Sequence, residues 1–149
     1  MPLSYYLHEG ELLSMNDLSV IDTLIKRLMR DDTPHRDMDD GIAEILGWSR
    51  AYETVTDAST GETTQKLLKR WYPPGSQTLR RVPSYTSDLQ CALDLASDVS
   101  GGARVGCSWD ATSAHSVIGT RHPVRAKDVA MAVCAASLIV VRQKGSTDS

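Results

Sequence analysis

The chain has 149 residues, with 16 Lys or Arg against 19 Asp or Glu, a net charge of -3 and a pI near 5.7. That length suits one domain able to bury about 70% of the unfolded chain's surface. The acidic balance has the wrong sign for a nucleic-acid footprint spread over the whole chain, and no run approaches the ~20 apolar residues of a membrane helix.

There is no Phe, so large core volume must come from Leu, Ile, Val, Met, five Tyr and three Trp. Cys91, Cys107 and Cys134 are odd in number and widely spaced. They read as reduced thiols of a cytoplasmic protein, not as a disulfide framework. Met1–Tyr6 lacks a positive segment followed by an apolar stretch and is not expected to be a secretory leader.

Residues 1–15 read as an N-terminal arm with scattered Tyr and Leu. The first helix is expected from about Met15 to Asp31, capped by Asn16 or Asp17. Its Leu18, Ile21, Leu24, Ile25 and Leu28 recur at three- and four-residue steps and form one apolar stripe. That stripe is either an added core layer or a surface for a partner, a homodimer included. Asp31-Asp32-Thr33-Pro34 breaks the chain. A second helix, about Met38 to Leu46, ends at Gly47.

Residues 50–72 read as a hairpin. Tyr52–Thr56 alternates and is rich in strand formers, Asp57–Gly61 is turn chemistry, and Thr63 to Tyr72 returns until Pro73-Pro74-Gly75 stops it. A third helix opens at Pro83–Asp88, with Thr86 or Ser87 as cap, and ends before Ser100-Gly101-Gly102. Ala103–Trp109 and Ala114–Gly119 read as a second hairpin. A last helix is expected from Val124 to about Val141. It is apolar over more than half its circumference and so is buried on more than one side. Residues 143–149 read as a disordered tail.

The expected fold is therefore α+β: an antiparallel sheet of about four strands sandwiched between helical layers, in the order α-α-β-β-α-β-β-α, over one domain at 16–142.

Four segments in order add a resemblance. They are Ile42-Ala43-Glu44-Ile45-Leu46-Gly47-Trp48, Trp71-Tyr72-Pro73-Pro74-Gly75, Pro83-Ser84-Tyr85-Thr86-Ser87-Asp88-Leu89 with Ala92 and Leu93, and Ala132-Val133-Cys134-Ala135-Ala136-Ser137-Leu138. Together the chain resembles the phage ABA-sandwich domain family of small phage and prophage proteins, over about residues 38–142. The resemblance implies a sheet between helical layers and carries no known activity. The helix at 16–31 is extra to the family pattern, and Ser100–Thr120 matches it loosely.

Candidate chemistry is sparse. Cys107, His115 and His122 are the nearest soft ligands in sequence, but a zinc site needs three or four at fixed geometry. Cys107 with His115 lacks an orienting third group for nucleophilic catalysis. Asp37, Asp39 and Asp40 suit the start of a helix dipole. No cofactor, metal or catalytic residue is therefore expected. Lys66, Lys69, Arg70, Arg80 and Arg81 surround Trp71, and basic residues interleaved with aromatics can hold a nucleic-acid backbone and stack its bases. Lys66 and Arg70 should share one strand face, opposite Lys69. The same residues suit a solvated strand edge guarded by cations. The reading that follows is a non-enzymatic phage or prophage accessory protein of the bacterial host cytoplasm. It would act through an unknown protein partner, with a nucleic-acid-associated protein using Lys66–Arg81 as the alternative and no membrane role.

Overall fold

The computed structural model describes residues 15–147. Of the arm expected at 1–15, residues 1–14 lie outside that range, as do the last two residues of the chain, and Met15 begins the first helix.

Among the described residues four helices and five strands follow in the order α-α-β-β-α-β-β-β-α. They are α1 (Met15–Arg30), α2 (Arg36–Ile45), β1 (Ser49–Thr56), β2 (Thr63–Tyr72), α3 (Leu89–Ser100), β3 (Val105–Trp109), β4 (Ala114–Ile118), β5 (Val124–Ala126) and α4 (Val129–Thr147). The class is α+β with antiparallel pairing throughout. The strands divide into two sheets, β1-β2 and β3-β4-β5.

The fifth strand lies where the last helix was expected to begin. Val124, Arg125 and Ala126 alternate buried, exposed, buried and pair with β4. Asp128 starts the helix instead, its Oδ1 accepting from the Met131 N–H at 3.2 Å. At the other end α4 runs to Thr147, so the helix continues into the segment read from sequence as a disordered tail. The Lys144 ammonium donates to the Val99 carbonyl at 2.8 Å and ties that last turn to α3.

Helix α4 is the centre of the molecule. Every residue from Ala130 to Leu138 is buried, as are Val140 and Val141. It packs against α1, α3 and all three strands of the second sheet. Alanines at 130, 132, 135 and 136 let neighbours approach closely, while Met131, Val133 and Leu138 fill volume at about 1.5–3 kcal/mol each. Cys134 and Ser137, the polar side chains within its fully buried stretch, are satisfied inside the core. The Ser137 hydroxyl donates to the Val133 carbonyl at 2.8 Å, and the Cys134 thiol donates to the Tyr85 carbonyl at 3.1 Å.

The α1 stripe is part of this core. Ile21, Leu24, Ile25 and Leu28 are buried and face α4, with Leu18 half-buried. The five therefore do not form a free dimer surface. Packing against an apolar neighbour in the same chain is what lets the amphipathic helix form. The Arg142 guanidinium meets Asp22 of α1 at 2.6 Å, a pair that solvent screens at that exposure.

Two joints set the ends of α2. At its C-terminus Gly47, at φ 97°, donates to the Glu44 carbonyl, and the Trp48 N–H donates to Ala43. This is the crossed pair of bonds that a left-handed residue makes when it ends a helix. At its N-terminus Asp39 is buried at 2% exposure. Its Oδ1 accepts from both the N–H and the hydroxyl of Thr86 at 2.8 Å, and its Oδ2 accepts from Arg36 at 3.1 Å. Arg36 also donates to the Val82 and Pro83 carbonyls. Thr86 therefore does not cap the third helix. Asp88 does, accepting from the Gln90 and Cys91 N–H groups.

Replacing Asp39 by Ala strands the buried N–H and hydroxyl of Thr86 and takes the carboxylate partner from Arg36, which keeps its two carbonyl acceptors. It is expected to remove about 2–4 kcal/mol of stability. Asp39→Asn keeps one acceptor for Thr86 and should cost roughly half as much. Urea unfolding with an unchanged slope checks both.

Candidate contact surface

Hairpin β1–β2 stands apart from the rest of the fold. Only its base reaches the core. Ala51 is 3% exposed and Trp71 2%, while every β1 residue from Tyr52 to Thr56 and every β2 residue from Thr63 to Leu67 is exposed. The two strands pack on each other and on no other element to any comparable degree. The paired part beyond the base, Tyr52–Thr56 against Thr63–Leu67, spans about 17 Å at strand rise.

The base is built around Trp71. Its backbone exchanges two hydrogen bonds with Arg80, at 2.8 and 2.7 Å, which closes the 73–79 loop against β2. Arg50, opposite Trp71 in the register, lays its guanidinium 4.3 Å from the indole centroid. The same guanidinium lies 3.7 Å from Glu44 and 3.9 Å from Asp40 of α2. A bulge then sets Leu68, Lys69 and Arg70 against Ala51 alone, which bends the arm just above its base. At the far end the Asp57 carboxylate accepts from the N–H and hydroxyl of Ser59. Those bonds hold its pKa below the usual carboxylate value and shape the tip.

This geometry sorts the candidates named from sequence. Lys66, Lys69 and Arg70 are exposed along β2, and Arg80 and Arg81 are exposed beside its base. Trp71 is not available to stack a base, because it is the buried anchor of the arm. The exposed ring is Tyr52, 56% exposed, next to its cross-strand partner Leu67 at 50%. Val55 is exposed on the opposite face. Tyr52 and Leu67 could have been found from the alternation of both strands, had the hairpin been read as unsupported on either face.

The remaining candidates separate. Cys107 pairs with Ser116 and Ser108 with His115, so the alternation puts Cys107 and His115 on opposite faces of the sheet. Asp37 meets Arg27 at 3.1 Å, Asp40 lies toward Arg50 and Asp39 turns inward, so the three carboxylates diverge. Among the described residues no group of three or more His, Cys, Asp or Glu is placed to hold a metal ion, and no helix is long and apolar enough to cross a membrane.

A groove of about 350 Å³ runs between α3 and the base of the arm, walled by Leu46, Trp48, Tyr85 and Leu95 with Asp94 and Asp98 among its polar lining. Cys91 lines it too. Burial raises the Cys91 thiol pKa above its ordinary value, and the Asp88 carboxylate raises it further. Burial pushes Cys134 much higher. Both are held as thiols at neutral pH, a form that is a poor nucleophile. Iodoacetamide at neutral pH should label Cys91 more slowly than a free thiol, speeding only above the ordinary thiol range, and leave Cys134 unlabelled until the protein unfolds. Peptide mass mapping reads both.

Comparison of the chain with known protein families, with curated proteins and with solved structures finds no match in any of the three.

Proposed function

We propose that this chain is a non-enzymatic accessory protein, of the phage or prophage kind and acting in the bacterial host's cytoplasm, that works by docking its β1–β2 arm on another macromolecule. The observation that carries this is the arm itself. A two-stranded hairpin with neither face covered is marginal on its own in water, and its outer backbone edges are free to pair. Here it is anchored firmly at one end and left uncovered along the rest.

The residues that carry the family resemblance support a shared fold. Leu46-Gly47-Trp48 ends α2, Trp71 anchors the arm, Thr86 holds Asp39, and Ala132–Leu138 lies in the core. The three free thiols suit a reducing compartment. Tyr52, Val55 and Leu67 favour a protein partner, since exposed aromatic and apolar residues on a free-edged strand suit strand addition. The uncovered cations favour one that carries phosphate.

Two measurements test this reading. Replacing Glu53–Lys66 by Asn-Gly leaves a minimal hairpin on the Tyr52–Leu67 pair. Because the core loses nothing, the body should melt within a few degrees of the parent. A collapse in melting temperature would make the arm a structural part of the fold. Light scattering over a wide concentration range then tests a second copy as the protein partner. Dimerisation that disappears in Tyr52→Ser/Leu67→Ser supports it, and a monomer throughout removes it.

A further inference from the structure

The Lys and Arg residues of this chain are not spread evenly. Residues 49–81 hold six of the sixteen Lys and Arg but only three of the nineteen Asp and Glu. The arm and its base therefore carry a net +3 on a body of -6. One of the six, Arg50, is occupied at the base by Trp71 and the α2 carboxylates. The other five, Lys66, Lys69, Arg70, Arg80 and Arg81, are exposed, and none makes an ion pair or side-chain hydrogen bond among the described residues. Lys66 lies across from Glu53 in the register without closing on it.

Five unneutralised cations within one short stretch repel each other, and an anionic partner relieves that repulsion. Their placement also has a shape. Lys66, Lys69 and Arg70 climb one strand of a free-standing two-stranded ribbon, while Arg80 and Arg81 flank its root. Strands about 4.8 Å apart, with side chains added, make a body that fits a B-DNA major groove about 12 Å wide. Two-stranded ribbons are among the elements that proteins place in DNA grooves. The acidic body opposes wrapping, so contact would be confined to the ribbon and its root.

We infer that the β1–β2 arm is a ribbon for B-form duplex DNA. Lys66, Lys69, Arg70, Arg80 and Arg81 would neutralise backbone phosphates, and Tyr52 and Leu67 would lie against sugars or base edges. This rests on the reading of the arm as the contact surface. Duplex DNA fits this ribbon and duplex RNA does not, because the deep, narrow major groove of A-form RNA does not admit such an element.

The test uses the full chain and a labelled mixed-sequence DNA duplex, followed by fluorescence anisotropy from about 50 to 200 mM salt. Binding in the micromolar range at low salt is expected, with affinity falling steeply as salt rises. The triple variant Lys66→Gln/Lys69→Gln/Arg70→Gln should lose at least about tenfold at low salt and flatten the salt slope by about 0.9 for each phosphate contact removed. Arg80→Gln/Arg81→Gln should act the same way. Lys26→Gln/Arg104→Gln, on exposed residues away from the arm, should change nothing. All are surface changes, and unchanged melting curves show that each variant is folded.

Absence of binding at low salt overturns the inference. So does binding that the arm variants leave intact, equal binding to duplex RNA, or full competition by polyglutamate, which would assign the arm to acidic protein surfaces. The two readings fail separately. No DNA binding together with self-association lost in Tyr52→Ser/Leu67→Ser removes this inference and keeps the arm as a protein contact. Loss of neither activity on changing the arm removes both.

Discussion

A helix without a polar face has to be surrounded, and α4 sets that condition for the whole molecule. From Ala130 to Val141 it offers water only part of Ile139. Its removal from water can be completed only if α1 and α3 cover some of its circumference and the β3-β4-β5 sheet covers the rest. Each fully buried large side chain contributes about 1.5–3 kcal/mol, so this one helix and its neighbours supply much of the apolar stabilisation. The alanines matter as much as the larger residues, because they set how near the surrounding backbones can come. The α1 stripe follows from the same demand. It is apolar because it is part of α4's wrapping.

The polar joints are fewer and act locally. Asp39 is costly to bury and is retained by three donors: two from Thr86 and one from Arg36. Arg36 passes the connection on to the Val82 and Pro83 carbonyls. One carboxylate thereby fixes α2 against the loop that leads into α3. A buried group of this kind adds little net stability compared with a well-packed apolar one, while removal of one partner leaves the others uncompensated in the interior. Trp71 has the corresponding role for the hairpin, through its ring beneath Arg50 and its backbone against Arg80.

Those joints make the arm a mechanical feature. Core packing stops at Ala51 and Trp71, the last buried residues of the two strands. Beyond that point the two strands have only each other, and the cross-strand pairs are worth a few tenths of a kcal/mol to about 1 kcal/mol each. The distribution of charge is uneven as well: residues 49–81 carry a net +3, with Glu53, Asp57 and Glu62 on the hairpin beside its cations and Arg50, Arg80 and Arg81 at its base, and the rest of the chain carries -6. A surface element that is weakly held by its own chain and has unpaired cations along one strand and at its root is suited to gaining neutralisation from a partner.

Much of this could be read from local pattern. The spacing of Leu18 to Leu28, the Gly47 stop, the alternation of Tyr52–Thr56 and the unbroken apolar run of α4 each determine an element through interactions within a few residues. They yielded the α+β class and the helices in order. The sequence could not say whether the α1 stripe faced its own core or another molecule, because amphipathicity looks the same in both cases. Nor could it show that Asp39 turns inward while Asp37 and Asp40 stay outside. That depends on Thr86, 47 residues away. Val124–Ala126 is too short to declare itself a strand without β4 beside it. Trp71 read as a stacking surface beside five cations, and only its packing made it the buried root of the arm. The tertiary structure decided these points because each depends on which distant groups arrive next to a residue, and period and propensity carry no information about that.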